Sequence, residues 1–223
     1  MKSAGTRIYL TIIWIVTIIC ILIGVNRFVI GNGYGGKTVS RVAVLDEFSK
    51  IDIDLPIGDL NIVEGSEYKI EVEASEKLMP KWKIDGDTLR IDGSNKGTKI
   101  WGFGSYVQKV TLTIPRDHVI EKAELSLDMG NIEIEDVEFN DVYIEADMGN
   151  VEARNIEALF YTVEADMGNV EISGDVFNID ADCDMGNIDI DVDDLFRCKI
   201  SAEADMGNVT VNGKDEGNKF ISR

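Results

Sequence analysis

The sequence predicts an all-β fold, a single-domain β-solenoid in which coils of about 19 residues stack on one another. Three observations predict it. A DMGN motif recurs five times, the spacing between the motifs is nearly constant, and the residues on both sides of each motif alternate between apolar and polar. An apolar segment precedes this part of the 223-residue chain.

The N-terminal segment is apolar enough to cross a bilayer. Residues 8–30 contain one charged side chain, Arg27. A run of this length predicts a transmembrane helix, and the lack of a following small-residue cleavage site favours an uncleaved anchor over a signal peptide. We therefore expect a transmembrane anchor at 8–30, followed by a Gly-rich linker at 31–41. Basic residues lie on both sides of this span, so charge alone does not decide its orientation. We choose the orientation with a cytoplasmic tail at residues 1–7. The bulk of a single-pass cell-membrane protein would then be extracellular.

Residues 42–122 have β character without a regular period. Strands are predicted at Ser49–Leu55, Asn61–Glu64, Lys69–Ala74, Trp82–Ile84, Leu89–Asp92 and Val110–Ile114. Ile57–Ile62 is a weaker copy of the later repeat. We interpret residues 42–122 as irregular coils or a cap of the same stack, because the ends of a solenoid need atypical units.

The regular coils are predicted at residues 123–213, followed by a C-terminal tail at 214–223. The motif aspartates are 19, 19, 18 and 21 residues apart: Asp128, Asp147, Asp166, Asp184 and Asp205. The positions three before them are apolar: Leu125, Ile144, Val163, Ala181 and Ala202. Apolar residues also follow each asparagine, so each unit is predicted to be a strand, a tight turn and a strand. Glycine and asparagine suit such a turn because they tolerate positive φ.

Two arrangements of these units are compatible with the turns. In a solenoid, equivalent residues stack at about 4.8 Å. In an antiparallel β-sandwich or meander, each DMGN motif would instead close a hairpin. The close matching of equivalent positions favours the solenoid, because stacking demands it and a meander does not.

Charge excludes one class of partner. The first 41 residues hold five basic and no acidic side chains, so the remainder carries all 41 acidic residues against 17 basic ones, a net charge of −24. Such a chain would repel nucleic acid. Cations and basic peptides are the partners it favours.

The motif residues suggest candidate sites, each with a plain structural alternative. Stacked coils would bring the five aspartates about 5 Å apart, as a cation ladder for Ca²⁺, unless each one bonds its own turn. The asparagines are either a ligand ladder or, more simply, stacked amides: Asn131, Asn150, Asn169, Asn187 and Asn208. The methionines either form a soft-metal or adhesive stripe, or they cover the turn or plug the corner of the core: Met129, Met148, Met167, Met185 and Met206.

Other residues carry weaker signals. Trp101, Phe103 and Tyr106 lie in a glycine-rich stretch and either bind a partner or fold over the end of the solenoid. Cys183 and Cys198 are predicted to be buried thiols. With His118 as the single histidine of the chain, most histidine-based catalytic and metal sites are excluded. We expect no enzyme and no cofactor other than Ca²⁺.

The order of the motifs resembles a known family. I-G-D-L-N-I at Ile57–Ile62, V-T-L-T-I-P at Val110–Pro115 and the repeated G-N-[IV] turns are similar to a bacterial family of β-strand-repeat domains known as putative adhesins. With its short anchor, the chain resembles LiaG-like proteins of cell-envelope stress operons. The resemblance implies a β-helix-like fold, an envelope location and no catalytic residue.

Two functions follow as hypotheses. The first is a non-enzymatic adhesin or envelope-stress interaction module that binds a cationic peptide through its anionic face. The second is a structural spacer or accessory subunit of another membrane protein. A polysaccharide-active β-helix enzyme is a third, weaker reading, because short connections build no cleft for a sugar.

Overall fold

A computed structural model describes residues 37–93 and 108–222. These residues form strands throughout, apart from loops and a short 3-10 helix at Glu76–Leu78. The strands are β1 (Thr38–Val44), β2 (Lys50–Leu55), β3 (Asp59–Gly65), β4 (Lys69–Ser75), β5 (Lys81–Asp85), β6 (Thr88–Asp92), β7 (Gln108–Pro115), β8 (Val119–Met129), β9 (Ile132–Glu135), β10 (Glu138–Met148), β11 (Val151–Met167), β12 (Val170–Val176), β13 (Asn178–Met185), β14 (Ile188–Val192), β15 (Lys199–Met206), β16 (Val209–Val211), β17 (Lys214–Asp215) and β18 (Lys219–Ile221).

Most of these strands pair in parallel and line two faces. The first face contains β6, β2, β8, β10, the second half of β11, β13 and β15. The second face contains β7, β3, β9, the first half of β11, β12, β14 and β16. Because the chain alternates between the faces, each turn adds one strand to each. This parallel stacking confirms the solenoid, and the antiparallel sandwich or meander is wrong for the repeats.

The core lies between the two faces and is built from the predicted apolar positions. On the first face, Leu125, Ile144, Val163, Ala181 and Ala202 are in register and buried. On the second face, the same is true of the residues that follow each asparagine: Ile132, Val151, Val170, Ile188 and Val209. Both sets belong to one buried cluster. Burial of apolar surface, at about 25 cal/mol per Å², is therefore shared by all the coils.

The order of the coils in the stack differs from their order in the sequence. Strand β2 pairs with β6 on one side and β8 on the other, and β3 likewise lies between β7 and β9. The coil formed by β2 and β3 is therefore inserted between two coils that follow it in the chain. This coil contains the weak motif copy at Ile57–Ile62.

Antiparallel strands close both ends of the stack. Strand β5 pairs with β6, β4 with β7 and β1 with β4, while β18 pairs with β15 and β17 with β16. Strand β1 begins at Thr38, inside the predicted linker, because residues 38–44 find a pairing edge on β4. Strands β17 and β18 occupy the predicted C-terminal tail, where Phe220 packs against the core.

A candidate interaction surface at the repeat corner

The DMGN motifs stack at one corner of the solenoid, and glycine is required there by close approach. A Cβ atom built on Gly149 would lie 1.7 Å from the carbonyl oxygen of Gly130 in the preceding coil. A Cβ atom at Gly130, Gly168, Gly186 or Gly207 would come equally close, at 1.7–1.8 Å, to the carbonyl oxygen of the equivalent glycine in the neighbouring coil. Backbone conformation also favours glycine here, as predicted, since φ is +146° at Gly149. The contact between coils adds a second constraint, which any side chain would violate.

The asparagines form a ladder that ties each corner to the next. The Asn131 side-chain oxygen accepts a hydrogen bond from the Asn150 backbone N–H at 3.0 Å, and the Asn150 oxygen accepts one from Asn169 at 2.9 Å. Asn187 and Asn208 continue the ladder at 3.1 Å each. At the other end, Asp59 takes the same place and accepts from the Asn131 backbone at 3.0 Å. The stacked-amide interpretation is confirmed.

The methionines line the outside of this corner. They pair in register, and their exposed fractions are 37%, 41%, 40%, 43% and 66% for Met129, Met148, Met167, Met185 and Met206. Of the two structural alternatives, plugging the corner of the core is therefore wrong, and covering the turn agrees with their partial exposure. Small residues fill that space instead: Ala146, Ala165, Cys183 and Ala204. We call the five exposed side chains the methionine stripe.

The five motif aspartates form an exposed row directly beside the methionine stripe, which we call the aspartate file. Partial burial, together with the nearby carboxylates of Asp147 and Asp54, raises the pKa of Asp128. A second acidic row lies on the first face, two residues before the motif aspartates in the sequence: Glu145, Glu164, Asp182 and Glu203. Burial and the Glu203 charge raise the pKa of Asp182. Like charges on neighbouring strands therefore resist full ionisation.

The aspartate file does not converge on a compact metal centre. Within residues 37–93 and 108–222, no three His, Cys, Asp or Glu side chains are grouped closely enough to hold a metal ion. The hydrogen bonds that hold the turns come from the asparagines. The aspartates stand in a row along the stack, so their chemistry is that of a charged surface.

The second face carries carboxylates on the other side of the methionine stripe. They are Glu133, Glu152, Glu171 and Asp189, two residues after each asparagine and in register. Burial raises the pKa of Asp189, and the charges of Glu171 and Asp191 add to the shift. Arg154 pairs with Glu152 within this set. The methionine stripe thus has the aspartate file directly on one side and, beyond the asparagine ladder, a further acidic row on the other.

The opposite corner carries features that the motif search missed. Three residues there adopt left-handed backbone conformations, with φ of 63°, 58° and 51° at Asp117, Asp136 and Asn155. Asn155 donates a side-chain hydrogen bond to Asp136. A cleft of about 430 Å³ lies beside them, where His118 Nε2 is 2.9 Å from the carbonyl oxygen of Phe48. The residue types differ from coil to coil, so no repeated motif marks this corner.

Two sets of predicted residues lie outside the described part of the chain. They are the transmembrane segment at residues 8–30 and the aromatic residues Trp101, Phe103 and Tyr106. Among residues 37–93 and 108–222, no helix is long and apolar enough to span a membrane. The two cysteines that are described, Cys183 and Cys198, are free and buried, as predicted.

The fold and the corner define a class of protein: a parallel β-solenoid repeat domain with an exposed acidic corner. The chain belongs to the Toastrack DUF4097 family, whose profile matches residues 48–221. This membership supports the resemblance to β-strand-repeat domains. The LiaG-like anchor arrangement remains a prediction.

Comparison with solved structures finds distant likenesses. They include a putative adhesin from Bacteroides fragilis, with 16% identity over 78% of this chain and 96% of that chain and a TM-score of 0.40. A putative cell adhesion protein from Clostridium sporogenes has 12% identity, 78% and 99% coverage and a TM-score of 0.41. A putative adhesin from Parabacteroides distasonis has 14% identity over 78% of this chain and 73% of that chain, with a TM-score of 0.46. No curated protein matches the chain. These likenesses are too distant to transfer a function.

Proposed function

We propose that this chain is a non-enzymatic interaction module of the bacterial cell envelope, which binds cationic partners through the acidic corner of its solenoid. The observation that carries the proposal is the charge of the repeats. Residues 123–213 contain 24 acidic and three basic side chains. The carboxylates at the corner lie in rows on both sides of it, so a bound cation meets several of them at once.

The raised pKa values of Asp128 and Asp182 support this reading. Each carboxylate is partly buried beside others of the same charge. A cationic side chain that approaches the row relieves this repulsion, so binding is favoured by charges already in place. Complementary charge of this kind mainly accelerates association and is weakened by salt.

The aspartate file is also proposed to attract Ca²⁺ as a charged row, without forming a compact metal centre. Calcium takes oxygen ligands in flexible geometries, and neighbouring carboxylates of one row would supply only part of them, with water as the rest. We expect weak binding, because the carboxylates are spread along the stack. A calcium titration that raises the melting temperature would support this part of the proposal.

The decisive test uses an unstructured lysine homopeptide, which has charge but no apolar face. We expect it to bind at low salt and to be released at high salt. The matched control replaces Glu145, Glu164 and Asp182 by glutamine or asparagine, which keeps their size and should weaken binding. If neither the lysine peptide nor Ca²⁺ binds at low salt, the proposal is wrong.

The envelope location is the second part of the proposal. Residues 8–30 would anchor the chain with the solenoid outside, as in LiaG-like proteins of envelope-stress operons. In intact cells, added protease should then cleave a C-terminal epitope tag. Protection of that tag in intact cells, with cleavage after lysis, would place the solenoid inside.

A further inference from the structure

Folding alone does not explain the methionine stripe. The corner is already held by the asparagine ladder and by backbone hydrogen bonds between coils, such as the one from the Gly130 N–H to the Met148 carbonyl oxygen at 2.9 Å. Between 37% and 66% of each methionine stays exposed, so packing against the protein accounts for only part of its surface. An apolar side chain that repeats at the same exposed place in five consecutive coils forms a continuous apolar surface. Contiguous surfaces of this kind mark places where another molecule binds.

The dimensions of the stripe follow from the stacking. Five residues in register on neighbouring strands span about 19 Å, since strands lie about 4.8 Å apart. An α-helix of about 13 residues has the same length, at 1.5 Å per residue. Its turns repeat every 5.4 Å, close to the strand spacing, so apolar side chains on one side of such a helix would meet successive methionines. Methionine adapts to such contacts because its side chain is flexible and polarisable.

Charge defines the rest of the partner. The aspartate file lies directly beside the stripe on one side, and on the other side Glu133, Glu152, Glu171 and Asp189 lie beyond the asparagine ladder. A molecule seated on the methionines would therefore need positive charge along both of its edges. An anionic lipid surface would be repelled by the same rows.

We propose that the methionine stripe and its two acidic borders form a docking surface for a cationic amphipathic helix. Apolar side chains of the helix pack on the stripe, and flanking Lys or Arg side chains pair with the acidic rows. This rests on the proposed function and adds to it the exact surface and the partner class. Charge alone would bind any basic peptide, whereas the stripe selects those with an apolar face.

The test compares two peptides of identical composition. Both contain leucine and lysine in 16 residues, one arranged as an amphipathic helix and the other scrambled so that no apolar face forms. Binding is measured to the full-length protein in lipid nanodiscs, with empty nanodiscs as the blank. We expect the amphipathic peptide to bind at least about tenfold more tightly than the scrambled one.

A variant isolates the stripe. Replacing all five methionines by glutamine keeps the length of each side chain and removes its apolar character. We expect the preference for the amphipathic peptide to fall below about twofold, while affinity for the scrambled peptide is unchanged. Phe196→Ser is the matched control, since Phe196 is fully exposed but lies in the loop between β14 and β15. It should leave the preference intact.

Each outcome is informative. Equal binding of the two peptides by the wild-type protein, or a preference that survives the methionine substitutions, overturns the docking surface and leaves the proposed function standing. Binding of neither peptide overturns both. Capture of phosphatidylcholine vesicles that the amphipathic peptide does not displace would assign the stripe to lipid and overturn the peptide proposal. If the fivefold variant does not fold, Met148→Gln with Met167→Gln gives the same test with a smaller expected effect.

Discussion

Replacing Gly149 by alanine should destabilise the solenoid by forcing two coils apart. The new Cβ would lie 1.7 Å from the Gly130 carbonyl oxygen. Carbon and oxygen atoms in contact are normally about 3.3 Å apart, so the coils would have to separate locally by about 1.5 Å. Three hydrogen bonds cross this gap: Gly130 to Met148 at 2.9 Å, Ile132 to Asn150 at 2.9 Å and Asn150 to Asn131 at 3.0 Å.

The magnitude follows from these contacts. Loss of three hydrogen bonds costs about 3 kcal/mol, and the φ of +146° at Gly149, outside the left-handed helical region, adds about 1–3 kcal/mol for a residue with a Cβ. At 2–4 °C per kcal/mol for a protein of this size, the melting temperature should fall by about 8–24 °C. Thermal unfolding followed by circular dichroism measures this directly.

Gly86→Ala is the matched control for this prediction. Gly86 also has a positive φ, +66°, but nothing lies within 4 Å of a Cβ built on it. Its substitution should cost about 1 kcal/mol and lower the melting temperature by about 2–4 °C. If the two variants melt within about 3 °C of each other, the contact between the coils is not what requires glycine at Gly149.

Three further predictions concern side chains. Burial and the Glu203 charge raise the folded-state pKa of Asp182, so the folded protein binds this proton at a higher pH than the unfolded chain does, and stability should increase as the pH falls from 7 towards the unfolded pKa of 3.8. Asp182→Asn should raise the melting temperature at pH 7 and reduce the increase at lower pH. An unchanged melting temperature at pH 7 would contradict this prediction. Burial raises the pKa of Cys198 to about 11, so its thiolate fraction at pH 8 is about 0.001. Alkylation of Cys198 by iodoacetamide, followed by mass spectrometry, should therefore be at least about a hundredfold slower than in the unfolded chain. Comparable rates would show that Cys198 is not buried. The Tyr161 hydroxyl is buried without a hydrogen-bond partner among the described residues, so Tyr161→Phe should stabilise the protein by about 1 kcal/mol, and a lower melting temperature would show that the hydroxyl has a partner.

The sequence was sufficient to predict the coils because each coil repeats a local pattern. Alternation with a period of two identified the buried positions, such as Leu125 and Ile132, and the matching of the repeats indicated parallel stacking. The asparagine ladder followed from the same matching, since stacked coils bring identical amides together. These features depend on residues within one or two coils of each other.

The exposure of the methionine stripe could not be predicted from the strand period. Period-two alternation places Leu127 inside and Asp128 outside, so it assigns Met129 to the inside. The chain turns at Gly130, where φ is +138°, and this turn interrupts the alternation at Met129. A period derived from strands does not hold at a corner, so only the structure shows which way these side chains point.

The ends of the stack were also beyond sequence analysis. The insertion of β2 between β6 and β8 depends on pairing between distant segments, which no local period encodes. The same is true of β1 and β18, which each pair with one edge of the larger strands. Their positions are set by the unpaired edges that the larger strands leave, not by their own composition.

The stacking order has consequences for how the protein folds and for how its number of coils can change. Strands β2 and β3 receive both of their neighbours from residues that follow them, so the N-terminal end has to assemble as one cooperative unit up to about β9. Each later coil touches only the coil before it and the coil after it. Excision of one 19-residue period, such as residues 147–165, should therefore shorten the molecule by about 4.8 Å without altering its termini. The number of coils in this architecture can therefore change without a change in the strands that close its two ends.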